Sequence, residues 1–251
     1  MNIERILNFR TIIILIFVAL LSYGIYWLVI SNIFKNNLLL QLAENKSISY
    51  KTINSSGFPT QIQTNINEFE IINSKSDDIL LESKAIQLSI HPFDLSKVAL
   101  KSNLISILVN KDNLVFDIDM NSVLSVISVD QNNLYNLNSA INNIKISGND
   151  AFMANLDQIH IKINENSTQL YEINTKVNSA QLETMNSQNV SIEIKSLLEL
   201  NDRVFNGNFN LLIKNLETDE DVFNLPFSVI DNQVIFLFMN IFDLNEILFF
   251  L

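Results

Sequence analysis

The chain has 251 residues, 48% of them hydrophobic and only 17% charged, with a mean hydropathy of +0.21; that excludes a disordered tail and is enough chain for one or two domains with a real core. A net charge of −11 and a pI near 4.6 argue against nucleic-acid binding, which needs a basic stripe to neutralise phosphates. With Cys 0, Gly 4 and Pro 3, disulfides, thiolate metal sites, cysteine nucleophiles and glycine-rich phosphate cradles drop out together.

The hydropathy has a local source. Thr11 to Ile30, TIIILIFVALLSYGIYWLVI, carries no charge and matches the roughly 20 residues a helix needs to cross a hydrocarbon core. Thr11, Ile12, Phe17, Leu20 and Ile30 mark its apolar length. Tyr23, Tyr26 and Trp27 cluster at its C-terminal end, where amphipathic rings favour the headgroup level of a bilayer. Arg5 and Arg10 precede it against one Glu4, and the rest of the chain is acidic in balance. The positive-inside rule then predicts a cytoplasmic N-terminus and a body outside. A cleaved signal peptide is the rival, but its apolar region is shorter and ends in a small-x-small site. The expectation is a retained signal anchor.

Ser31 to Asn45 continues the helical pattern, with Ile33, Phe34, Leu38 and Leu42 apolar and Lys35, Gln41 and Glu44 polar. It reads equally as a collar on a membrane surface or as a helix packed on the following domain. From about Ser47 the period falls to two. Phe116 and Ile118 alternate with Asp117 and Asp119, Ile161 and Ile163 with Lys162 and Asn164, Ile173 and Thr175 with Asn174, and Phe209, Leu211 and Ile213 share a parity. Strict alternation predicts a sheet with one apolar and one wet face. Asn and Asp clusters punctuate it, Asn142-Asn143 and Asp231-Asn232 among them; both residues enter left-handed turns and can replace glycine at hairpin tips. His91-Pro92 breaks a strand, while Phe58-Pro59 reads as a strand start. Asn121 to Asn138 fits a strand or a short helix. Val234 to Leu251 reads as a strand with a docked tail, because its charges disfavour a second span.

The predicted organisation is thus a cytoplasmic segment 1–10, a transmembrane signal anchor 11–30, a juxtamembrane helix 31–46 and one antiparallel β domain 47–251. The fold class is all-β, a curled sheet, half-barrel or sandwich behind one N-terminal transmembrane helix.

Little of the sequence suggests catalysis. His91 and His160 have no partner at ligand spacing, and Asp117 and Asp119 read as a charged wet face rather than an acid–base pair. The acidic turn at Glu217 to Asp221 lacks the pattern of a calcium loop. No catalytic residue, metal or cofactor is expected.

The segment SSGFPTQIQ, after a span and a helix, resembles the bacterial family called domain of unknown function 2125, through Gly57, Phe58 and Pro59. AIQLSIHPFDLSKVAL, IHIKIN and VFNGNFNLLI follow in that family's order, and LPFSVIDNQVIF, with Leu225 and Pro226, is similar to its closing hairpin, with Asn232 where the family has glycine. The pattern is also similar to AsmA-like envelope proteins. The resemblance implies an inner-membrane protein with a periplasmic body and no assigned activity.

Two functions follow as expectations. In one, an apolar groove lined by Ile62, Ile66, Leu88, Phe116, Ile118, Ile161, Ile173, Phe209, Leu211 and Phe236 shields lipid acyl chains. In the other, a closed sandwich without a ligand binds an envelope protein partner through a surface or a sheet edge. The uniform Ile, Leu and Phe of these positions favours the groove, since a dry core interdigitates large and small residues.

Overall fold

The structure, a computed structural model, describes residues 9–72, 79–111, 114–129, 135–149, 153–167, 169–182, 189–201, 204–218, 220–236 and 239–243. Helix α1 (Phe9–Glu44) runs unbroken through the apolar segment and the leucine-rich stretch after it. No proline interrupts it, and at 1.5 Å per residue it is about 54 Å long. It is long and apolar enough to cross a membrane, by length and composition. It stops where Asn45 turns the chain: the Asn45 side chain accepts from Ser47 N at 3.0 Å and its carbonyl from Ile48 N at 3.2 Å.

The strands follow in chain order: β1 (Ile48–Ser49), β2 (Thr52–Ser56), β3 (Ile62–Ile72), β4 (Ile79–His91), β5 (Asp94–Ser102), β6 (Ile105–Lys111), β7 (Leu114–Val129), β8 (Tyr135–Gly148), β9 (Met153–Ser167), β10 (Leu170–Leu182), β11 (Asn189–Asn201), β12 (Val204–Asn215), β13 (Asp221–Ile230), β14 (Gln233–Phe236) and β15 (Met239–Asp243). All pair antiparallel in one 15-stranded sheet. The path is a meander in which consecutive strands are neighbours. At one edge β1 and β2 share β3, and inside the sheet β5 and β6 split the span between β4 and β7.

Asparagine does the turning that glycine usually does. Asp231 and Asn232, at φ 50° and 67°, form the two-residue turn between β13 and β14, the left-handed geometry that suits a twisted hairpin. Asn232 is buried, and its side chain accepts from Phe205 N at 2.6 Å. Asn215 accepts from Glu217 N and Thr218 N, opening the acidic turn. Gly207, at φ 152°, is a true glycine position: a Cβ there would lie 2.2 Å from the Leu197 carbonyl oxygen.

Two local expectations are corrected, and one open alternative is resolved. Asn142-Asn143 is no turn. It lies inside β8 at a bulge, with Asn143 at φ 50°. Phe58-Pro59 does not start a strand; its cis bond lies in the turn before β3. On both sides of residues 130–134 the segment Asn121 to Asn138 is strand, with no helix among the described residues. The break at His91-Pro92 is a hairpin: His91 ends β4 and Pro92-Phe93 turn the chain into β5. Phe238 and the tail 244–251 lie outside the described residues.

The Asn143 bulge belongs to a seam that crosses the sheet. Pairing skips Glu68 in β3, at φ 51°, and Asp157 in β9, and β10 shifts register against β11 between Val177 and Ala180. Along the same line β4 changes partner from β5 to β6. There the carbonyls freed by the bend are taken by two buried serines: Ser83 and Ser102 lie 2.9 Å apart and donate to the carbonyls of Leu104 and Ala85. Each bulge reverses the in–out phase of its strand, so the parity set by Ile66, Ile86 and Val123 before the seam passes to Phe69, Ser83 and Met120 beyond it.

The accessible surface is 16687 Å², against about 11,300 Å² for a compact monomer of this mass.

Candidate functional site

Antiparallel register turns period-two alternation into rows that run across strands. One row reads Thr64, Leu88, Leu100, Ser125, Ser139, Ile161, Thr175, Ile194, Leu211 and Leu225 from β3 to β13. The rows on either side begin at Ile62 and Ile66 and pass through Ile173 with Phe209 and through Ile159 with Ile213 respectively. Every position in these rows is apolar or a small hydroxyl. The interleaved rows on the other face carry Gln87, Lys101, His160, Lys176 and Glu193. At about 4.8 Å per strand, the apolar face spans roughly 43 Å across the sheet.

The face has a covered end and an uncovered remainder. Helix α1 lies on β3 and β4. Trp27 packs with Ile62 and Ile90 beside Ile30 and Phe34; Leu42 packs with Ile66, Phe69 and Ile86 beside Leu38. The spacing of Trp27, Ile30, Phe34, Leu38 and Leu42 is one helical stripe, so the residues 31–46 read as collar or docked helix are docked. Beneath the helix Ile62 and Thr64 are 0% exposed. Thr64 Oγ1 is buried there without a hydrogen-bond partner. Past β5 the cover ends. Ile161, Ile173, Phe209 and Leu211 are half-buried, and Phe223 is exposed. Small satellite clusters form along the trough, around Val177 with Val190 and around Leu198 with Val229. Phe209 and Phe227 stack with ring centroids 4.5 Å apart, and Ser125 and Ser139 satisfy each other at 2.7 Å.

Register places nine of the ten sequence-predicted groove residues on this face. Ile62, Ile66 and Leu88 lie at its helix-covered end; Ile161, Ile173, Phe209 and Leu211 line the open trough. Phe116 and Ile118 lie beyond the seam, in line with Val109 and Ile107, and reach the same face because the bulges reverse phase. The side chain of Phe236 lies outside the described residues. Leu225 faces the trough. Pro226 faces away, at a stretch of β13 where β14 no longer pairs, so its missing N–H leaves no ladder gap.

Sequence reasoning missed a joint. Tyr23 donates its hydroxyl to the Pro59 carbonyl, Tyr26 to the Pro92 carbonyl at 2.7 Å, and Trp27 Nε1 to the Gln61 carbonyl at 3.1 Å. Phe93 stacks on Tyr23 and Tyr26, each at 5.6 Å, and Phe58 meets the Trp27 ring edge-on at 5.5 Å. Gly57, at φ 100°, lets the Phe58 turn close; a Cβ there would sit 2.6 Å from the Gln61 carbonyl oxygen. By contrast Thr11 to Leu20 leave the sheet, with Ile12, Phe17 and Leu20 exposed.

The polar face offers little chemistry. A depression of about 950 Å³ lies over β10 to β14, between Glu172, Lys195, Leu197, Asn210, Pro226 and Ile235. These are outward-facing rows, so it opens on the side opposite the trough. Hydrogen bonds from Asn174 and Asn166, then the charge of Lys162, hold the Glu172 carboxyl below the usual glutamate range. Asp94 is lowered chiefly by its hydrogen bond from Ser96. Asp119 accepts from Ser106 at 2.6 Å, and His160 is exposed. Among the described residues no group of three His, Cys, Asp or Glu is placed to hold a metal.

Fold and face together define an antiparallel all-β body behind one N-terminal apolar helix. No protein-family model, curated protein or solved structure matches the chain.

Proposed function

We propose that this is a single-pass inner-membrane protein, N-terminus in the cytoplasm and β body in the periplasm, that shields lipid acyl chains on the open apolar face of its sheet. The observation that carries the reading is the row from Leu100 to Leu225, apolar or small at every strand and only half-buried wherever the helix does not lie on it. A contiguous apolar face that crosses eight strands is unusual for the surface of a soluble monomer. An acyl chain spanning half a hydrocarbon core, about 15 Å, fits within the roughly 34 Å that this row spans from β5 to β13. Each methylene moved from water to this face gains about 0.8 kcal/mol, without any catalytic group. The asymmetry of Arg5 and Arg10 against an acidic remainder supports the orientation. The resemblance to the domain of unknown function 2125 family supports the compartment.

The test uses the full chain, reconstituted with a phospholipid that carries a photoactivatable diazirine in one acyl chain. Crosslinks mapped by mass spectrometry should fall on Ile161, Ile173, Leu211 and their row neighbours, and spare His160 and Lys176 on the reverse face. Crosslinks confined to helix α1, with a body that excludes a hydrophobic dye, would overturn the reading in favour of an envelope interaction protein with no ligand.

A further inference from the structure

The hairpin tips beside helix α1 expose large apolar side chains that neither the trough nor the joint uses up. Phe58 is 56% exposed, Phe93 70% and Leu95 55%. Phe58 and Phe93 come from two separate turns, Gly57 to Gln61 and His91 to Asp94, that the joint holds at the height of Tyr23 and Tyr26 on the helix, and Leu95 follows the second turn at the start of β5. We infer that these two tips are a membrane-inserting rim, seated in the leaflet from which the helix emerges. The inference rests on the anchoring proposed above.

Helix length sets the depth. If the span begins after Arg10, a hydrocarbon core of about 30 Å takes the helix to about Ile30. A thinner core of about 27 Å still takes it to about Leu28. Both levels lie beyond Tyr23 and Tyr26. Only the stretch before Tyr23 stands clear of the sheet, and it is roughly 20 Å long. A bilayer of ordinary thickness therefore reaches the hairpins as well as the helix. Their chemistry suits that level. Apolar and aromatic apices suit a seat about 5–10 Å below the acyl–headgroup boundary, and the charges on the second hairpin, Asp94 and Lys97, lie 3.5 Å apart and pair with each other. The same end of the sheet holds Ile62, Ile90 and Val98, where the apolar rows begin. A seated rim puts that end of the face against lipid.

The chain has Cys 0, so single cysteines label cleanly. Full-length variants Phe58→Cys, Phe93→Cys and Leu95→Cys, each carrying a nitroxide, are reconstituted in phosphatidylethanolamine–phosphatidylglycerol vesicles. Collision with oxygen against a water-soluble nickel complex reports depth. Leu20→Cys is the reference within the helix and Asn110→Cys the reference at the far end of the sheet. Leu95 makes no ring contact with the joint, so its label reads depth even if losing a Phe ring loosens the hairpin. Oxygen-favoured collision at 58, 93 and 95, matching the sense at 20 and opposite to that at 110, is the expected result. Nickel-favoured collision at all three tips, with 20 still oxygen-favoured, overturns the rim and leaves the anchor standing. Nickel-favoured collision at 20 as well overturns the anchor and the rim with it.

Discussion

The openness of the trough can be read from two identical substitutions on one face. Ile161 and Ile66 both point to the apolar side, but only Ile66, 2% exposed, lies under helix α1 with Leu42 and Phe69. Ile161→Glu gives up about half of an isoleucine's burial, roughly 1.5 kcal/mol. The weaker strand preference of glutamate adds up to about 1 kcal/mol more. Its carboxylate stays hydrated, so the total is about 2 kcal/mol. Ile66→Glu loses nearly the whole burial term, about 3 kcal/mol, and strands a charge beneath the helix for several kcal/mol more. That is comparable to the entire stability of a domain. Urea unfolding in detergent, followed by the fluorescence of Trp27, which is the single tryptophan and sits at the joint, should show a moderately weakened Ile161→Glu and an unfolded Ile66→Glu. Equal collapse of the two would mean that a second layer covers the trough, and the open-face reasoning would be wrong.

Thr64→Val should stabilise the protein by about 1 kcal/mol or more, because it removes a buried hydroxyl that has no partner and keeps the shape; the urea midpoint measures it, and a loss of stability would show that the hydroxyl is satisfied in solution. Asn232→Ala should cost about 2–3 kcal/mol, from the hydrogen bond lost by the Phe205 amide and from a left-handed alanine. Asn232→Gly should recover only the backbone part, and equal costs for the two would locate the whole effect in the side chain. Because the Glu172 carboxyl is depressed in the folded state, its contribution is present above the ordinary glutamate range and fades as pH falls through the folded value. NMR titration of Asn174→Ala should find that carboxyl moved upward, and an unmoved titration would remove Asn174 as the cause.

Alternation made the fold class legible, because a period of two leaves no other regular structure for Phe116 to Met120 or for Ile159 to Ile163. The scarcity of glycine was legible too, since Asp231 and Asn232 take left-handed angles that two glycines would otherwise supply. The seam was not. Asn142-Asn143 carries the same local signal whether the chain reverses or merely bulges, and only the pairing of β8 with both neighbours decides between them. Proline was similarly ambiguous at Phe58-Pro59. The membership of the apolar face followed from parity, but its exposure depends on whether another layer lies over it, and the size of the row residues bears on that only indirectly.

The joint was hidden for a different reason. Tyr23, Tyr26 and Trp27 at the end of an apolar span already have a sufficient explanation in the membrane interface, and their partners are the carbonyls of Pro59, Pro92 and Gln61, which leave no side-chain signature. The two roles are compatible: a ring can sit at a headgroup level and still donate its hydroxyl to a neighbouring turn. Three such hydrogen bonds at about 1 kcal/mol each, the aromatic contacts at about 0.5–1.5 kcal/mol each and the burial of Trp27, Phe34, Leu38 and Leu42 make helix and sheet one rigid unit. A mobile tether would need a solvated Gly- or Ser-rich stretch between span and body; here the helix continues for four turns along β3 and β4 before the first strand begins. The helix and sheet are tied together, so the starting ends of β3 and β5 and the finishing end of β4 face the side from which the helix leaves. Under the proposed lipid-shielding role, an apolar face held in that attitude would receive acyl chains from one direction only, the geometric condition for a trough fed from a single leaflet.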